Sequence, residues 1–226
     1  FLQYVWFQHY FLFFVSFQPL FSFISDMSGK MLIFTREGNF LYARKLNKNI
    51  HDACCHDYRS AADLKRGHTL FSLATIYSTN QFVISWDDTN KEMEFYIDGR
   101  KVTFEGIDYK PNVWHSVCTT WSAQTGLLQL WFDGQRLMNK YSGNGLIRGP
   151  VKIVLGQEYY NRGYKMEHSF MGSMSDVHMW DYILSNCDIQ NYMNELSFPP
   201  GNVLNWKALD LSIAEGVFTR EQLWFV

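Results

Sequence analysis

Glu92 and Glu94 stand two residues apart in the run EMEFYI, which leads into Asp98-Gly99. On an extended strand this spacing puts both carboxylates on one face. That is how a jelly-roll glycosidase sets an acid and a nucleophile beside one cleft. The retaining enzymes of that architecture carry a third acidic residue, which the local pattern lacks, so a solvated strand edge is the expected role of the pair. The chain holds no GxSxG elbow, no HExxH helix and no phosphate-binding glycine loop, and its 7 histidines are dispersed. An enzyme is therefore not expected.

Cysteine supplies the second possible chemistry. The four cysteines, 54, 55, 118 and 187, include no CxxC pair, which argues against a zinc centre. Cys118 lies in WHSVCTTWS, 114–122. With period-two alternation, Trp114, Ser116, Cys118 and Thr120 share one strand face, and His115, Val117, Thr119 and Trp121 the other. One disulfide is expected, from Cys118 to either Cys54 or Cys55, since neighbouring strand residues point to opposite faces. The alternative is four reduced, buried cysteines in a cytosolic protein.

The elements that must carry these groups read as strands. FYIDGRKVTF and LLQLWFDGQRLM each place Asp-Gly between apolar runs, at Asp98-Gly99 and Asp133-Gly134, as type I′ hairpins require. Further strands are expected over 31–34, 40–46, 68–74, 82–86, 93–97, 100–104, 114–121, 127–132 and 151–155. A loop, SAADLKRG, precedes His68. One helix is expected over Ser185 to Leu196, with Ser185 as its cap and Ile189, Tyr192, Met193 and Leu196 on one face. Short, evenly spaced strands of this kind predict an all-β antiparallel sandwich or jelly roll.

The 226 residues carry a formal net charge of −2, and the 20 Lys and Arg are scattered, so nucleic acid is excluded as an expected partner. Residues 1–25 contain no Lys, Arg, Asp or Glu, and charge begins at Asp26. The stretch is read as a leader ahead of one domain at 26–226. It fits a removed signal peptide, a signal anchor, or a fragment or gene-model artefact.

Several ordered motifs together resemble the pentraxin family: VCTTW at 117–121, VLGQE at 154–158, GSMSDVHMWD at 172–181, LS at 184–185, NVLNWKAL at 202–209 and VFTREQLW at 217–224. The resemblance runs from Asp26 almost to the end. It implies a two-sheet lectin-type jelly roll and secretion as a non-catalytic pattern-recognition protein of innate immunity. It also implies an intersheet disulfide, a cyclic homo-oligomer, commonly a pentamer, and calcium-dependent binding of phosphorylated or sugar ligands. By the spacing to Tyr58 the resemblance pairs Cys54 with Cys118. Counting back from Gly67 points instead to Cys55. Cys187 is left free.

The family's calcium ligands map poorly onto this chain. The Asp-Asn pair before the Trp-ending strand is Thr79-Asn80 here. Glu158 is kept, and the Tyr159 carbonyl can serve, but the acidic position after it is Tyr160. Lys165 and His168 stand where a carboxylate and an amide belong, with Glu167 close by. Calcium takes about six to eight oxygens and is held by their charge, so weak or lost binding, no tighter than about millimolar, is expected. A transition metal at His168 is a lesser alternative. In the phosphocholine-type pocket, Ser85 replaces the aromatic wall and Lys101 the acid, with Tyr96 beside them. An anionic or carbohydrate-like ligand is expected there, with Tyr159, Tyr160 and Tyr164 as a stacking surface. A carbohydrate-binding module of the wider jelly-roll class is the second reading.

Overall fold

The computed structural model describes residues 23–46, 50, 54–63, 65–160, 163–164, 166–213 and 216–222. Runs of apolar and polar residues bounded by turn residues make strands. The chain opens with β1 (Phe23–Ser25), β2 (Lys30–Phe34), β3 (Leu41–Leu46), β4 (Cys54–Ala62), β5 (His68–Thr75) and β6 (Phe82–Asp87). It continues with β7 (Glu92–Ile97), β8 (Arg100–Glu105), β9 (His115–Trp121), β10 (Leu127–Phe132), β11 (Gln135–Arg136) and β12 (Lys140–Tyr141). The last part holds β13 (Val151–Leu155), β14 (Tyr159–Tyr160), β15 (Gly163–Tyr164), β16 (Gly172–Trp180), the helix α1 (Asn186–Met193), β17 (Leu209–Ile213) and β18 (Val217–Glu221).

Two antiparallel sheets face each other, as the expected jelly roll requires. One runs β1-β17-β3-β13-β5-β6-β7-β8 and the other β11-β10-β9-β4-β16-β2-β18, with β12 on β10. Between them lies a core that includes Leu32, Phe34, Ile84, Phe95, Val117 and Trp121. Both Asp-Gly turns are type I′, with φ of 49° and 74° at Asp98-Gly99 and 46° and 78° at Asp133-Gly134. The apolar stretch contributes β1 to the sheet through pairing with Leu209–Leu211, while residues 1–22 lie outside the described residues, as does the end of the last motif, 223–224.

Four expectations change. Ser60–Ala62 belong to β4 rather than to a loop, because Ser60 and Ala62 are small enough to be buried between neighbouring strands. The nine-residue strands β4 and β16 were not among the expected strands; both lie inside the second sheet, where partners on either side hold them. The helix is capped as expected, with Ser185 Oγ accepting from the Asp188 amide, but it ends at Met193, and Glu195 turns to φ 60°. An intersheet bridge is excluded by topology: β4 and β9 are neighbours in one sheet, with Cys118 opposite Asp57, Thr120 opposite Cys55 and Trp121 opposite Cys54. The side chains of 54–58 lie outside the described set.

The two faces of β9 are used differently. Val117 and Trp121 enter the intersheet core, whereas Cys118 packs outside it with Trp131, Trp180, Leu184 and Ile189, under α1. Trp114 precedes the strand and is 44% exposed. His115 is held in place by its partners: its Nδ1 lies 2.7 Å from an Asp133 carboxylate oxygen, and its Nε2 accepts from the Lys110 amide at 2.9 Å.

Candidate functional site

Two hairpin turns are tied together to build one end of the first sheet. The Asp98 amide donates to the Gln81 carbonyl and the Gly99 amide to the Asn80 carbonyl, both at 3.0 Å, so the β7–β8 turn fixes the bend before β6. That places Asn80 with its side-chain oxygen buried and without a hydrogen-bond partner among the described residues. Glu158 arrives from the other side, after β13. Its approach depends on Gly156, whose φ is +79° and where a Cβ would stand 2.7 Å from the Phe34 ring. The helical turn Met166–His168 closes the rim, and its end is fixed by Ser169 Oγ donating to the Met166 carbonyl at 2.6 Å.

Asn80, Ser85, Glu94, Tyr96, Glu158 and His168 thereby line one cleft of about 430 Å³. His168 Nδ1 lies 3.6 Å from a Glu158 carboxylate oxygen. Glu158 is only 7% exposed. Ser85 and Tyr96 hydroxyls each lie 3.4 Å from Glu94 Oε2. Burial, followed by the charge on Glu94, raises the Tyr96 phenol above its ordinary pKa.

Beside the cleft Asp87, Glu92 and Glu94 bring ligand atoms within 4.8 Å of one another. Asp87 supplies the third acid that the sequence pattern lacked, because the β6–β7 pairing sets it opposite Glu92. The solvated strand edge is thus corrected: Glu92 is 8% exposed and covered by its neighbours. The cluster is already engaged. Asp87 accepts from the Thr89 amide at 2.8 Å and from the Asn90 side chain at 2.8 Å, which hold its pKa low against the raising effect of burial. Lys101 Nζ lies 2.5 Å from Glu94 and 3.4 Å from Glu92. The hydrogen bond to Glu94 raises the Lys101 pKa, and the ammonium stays between the two carboxylates where a glycosidase would need one of them to hold a proton.

Comparison with known proteins decides the family. A family model described as "Pentaxin family" matches residues 30–221. The chain belongs to the pentraxin family. This pentraxin is 32% identical over 206 residues to serum amyloid P-component of Sus scrofa, covering 88% of the chain and 90% of that relative. It is 32% identical over 210 residues to C-reactive protein of Homo sapiens, with 88% and 91% covered. In fold it is similar to the native heptameric SAP-like pentraxin from Limulus polyphemus, with a TM-score of 0.76 and 19% identity over 86% of this chain and 95% of that one.

Against the calcium centre implied by pentraxin membership, the described side chains fall short. Of the ligands the resemblance implies, the cleft keeps the Asn80 amide oxygen and the Glu158 carboxylate, with an imidazole nitrogen third, and the further carboxylates that line it, Asp87 and Glu94, are already engaged with Thr89, Asn90 and Lys101, where calcium takes about six to eight oxygens. Of the other candidate ligands, Thr79 and Tyr159 line a neighbouring cleft, and Glu167 is exposed, with its carbonyl accepting from Arg66. The Tyr160 side chain and all of Lys165 lie outside the described residues. Lys101 pairs with Glu92 and Glu94 rather than lining the cleft.

Proposed function

We propose that this chain is a secreted, non-catalytic pentraxin-type recognition protein for carbohydrate-like and anionic ligands, with weakened or lost calcium dependence. The observation that carries the reading is the cleft around Asn80 and Glu158. It lies where the resemblance puts the family's ligand site, yet of the calcium ligands the resemblance implies it keeps one amide oxygen and one carboxylate, Asn80 and Glu158, beside an imidazole, while the other acids that line it, Asp87 and Glu94, are engaged with Thr89, Asn90 and Lys101. Asp87, Glu94 and Glu158 make this cleft unwelcoming to a bare anion, so a neutral sugar hydroxyl pair, bridging the Asn80 oxygen and the Ser85 hydroxyl, is its best-matched occupant.

The test is retention on immobilised neutral sugars, acidic sugars and phosphomonoesters, in calcium and in EDTA. Binding to part of the sugar panel within about two-fold in the two buffers is the expected outcome. Retention abolished by EDTA and restored by micromolar calcium would contradict it, as would no retention at all.

Assembly is proposed to be a cyclic homo-oligomer, a pentamer by family habit; the Limulus relative is described as heptameric, so the fold admits other numbers. Native mass spectrometry reads the count. A bridge from Cys118 to β4 is also part of the proposal. Cys54 is the partner by spacing to Tyr58 and Cys55 by the count back from Gly67, and β4 carries both of them alongside β9. With the bridge, Cys118→Ala should lose about 2–5 kcal/mol in urea unfolding under non-reducing conditions. A change below about 1 kcal/mol would mean that no bridge forms.

A further inference from the structure

A second cleft, of about 690 Å³, opens beside the first on the outer side of β3, β13 and β5. Its walls are Tyr42, Tyr77 and Tyr159, and Lys152 stands among them. The Lys152 ammonium is 4.0 Å from the centre of the Tyr159 ring and 5.0 Å from that of Tyr42. Among the described residues that line it, none is acidic. Hydroxyls of Ser78 and Thr79 stand on the rim, and Tyr77 and Ile76 are 76% and 68% exposed. The two clefts are thus opposite in character. The first is lined by Asp87, Glu94 and Glu158, the second by aromatic rings and one cation.

We propose that this tyrosine-walled cleft binds the carboxylate-bearing pyranose of an acidic sugar, without a metal. The volume falls within the ~300–1,000 Å³ of small-molecule sites, and such sites combine aromatic walls with few polar groups. A tyrosine face accepts the C–H face of a sugar ring, while the ammonium pairs with the carboxylate in a partly desolvated setting where the attraction is stronger than in water. A cationic ligand is opposed by Lys152. A bare phosphate leaves the three rings unused. Burial holds the Lys152 pKa below its ordinary value, which fits an ammonium seated within the cleft wall rather than out in solvent.

The inference rests on the reading of the chain as a ligand-binding pentraxin, and assigns the anionic part of that reading to this site. Sodium glucuronate is the probe, with glucose and acetate as controls, titrated by calorimetry into the intact protein in EDTA. Glucuronate is expected to bind at least ten-fold more tightly than either control. Lys152→Gln and Tyr77→Ser should each weaken it at least five-fold, and Tyr77→Ser, at an exposed position, leaves the fold intact even if the lysine change does not. Asn80→Ala, in the other cleft, should leave it unchanged. Equal binding of glucuronate and glucose, no binding of glucuronate, or unchanged affinity in the folded variants would overturn the inference. Loss of glucuronate binding in Asn80→Ala instead would move the site to the first cleft, overturning this inference while leaving the function intact. Failure of every sugar to bind would sink both.

Discussion

Lowering the pH from about 7.5 to 5 is expected to remove about 4 kcal/mol of folding stability through His68 and His178 alone. His68 is 2% exposed, and burial lowers its pKa from 6.5 to about 4. Its Nδ1 lies 2.8 Å from the Arg66 carbonyl and its Nε2 3.1 Å from the Tyr109 hydroxyl. His178, 1% exposed, is likewise lowered to about 4 by burial, with the Lys207 charge adding to the effect. It accepts from the Gly201 amide at 3.3 Å, a bond that protonation of Nδ1 would break. Both folded-state values lie below the unfolded one, so the unfolded chain binds more protons once the pH drops below about 6.5. The stabilisation is complete above that value and is lost as the pH falls toward 4, at about 2 kcal/mol per histidine by pH 5. Urea unfolding across this window, in the natural chain and in His178→Gln, reads the slope, and the variant should lose about half of it whatever its absolute stability. An unchanged slope in the variant would show that His178 does not titrate as a buried neutral ring.

Trp180→Ala should cost about 3–5 kcal/mol and loosen α1 from its sheet. Trp180 is fully buried at the end of β16, where it joins Cys118, Trp131, Leu184 and Ile189 beneath the helix. Its indole N–H donates to the carbonyls of Pro199 at 3.2 Å and Pro200 at 3.1 Å, tying the segment after the helix to the strand before it. Truncation leaves a cavity and two orphaned carbonyls together. Because α1 is only eight residues long, it has little helical stability of its own and depends on this seat. Far-UV circular dichroism and urea unfolding of the variant check both effects. A loss under about 1 kcal/mol with the helix signal intact would show that the helix is held elsewhere.

Most of the strands were legible because alternation and turn chemistry are local. Asp98-Gly99 and Asp133-Gly134 adopt the turn that their residue types demand, and Ser185 caps the helix at the expected place. β4 was not legible, because CCHDYRSAA mixes charges with small residues and becomes a strand only between β9 and β16. The candidate cleft was half legible. Asn80, Ser85, Tyr96, Glu158 and His168 were singled out by resemblance and do meet around one cavity. Asp87 was missed, since its approach to Glu92 and Glu94 follows from cross-strand register. The same register explains why Lys101, opposite Tyr96 across the β7–β8 hairpin, reaches the two glutamates. The tyrosine-walled cleft was hidden for a related reason: Tyr42, Tyr77, Lys152 and Tyr159 come from separate segments, and only Tyr159 stood out in the chain.

Calorimetric titration of calcium into the metal-free protein addresses the weakened ion site most directly. With Asn80 and Glu158 as the retained ligands and the Asp87 and Glu94 carboxylates engaged by Thr89, Asn90 and Lys101, the expected dissociation constant is about 1 mM or weaker, or no measurable heat. A micromolar constant, abolished by Glu158→Gln, would contradict the account and return this chain to the calcium-dependent pattern of its family.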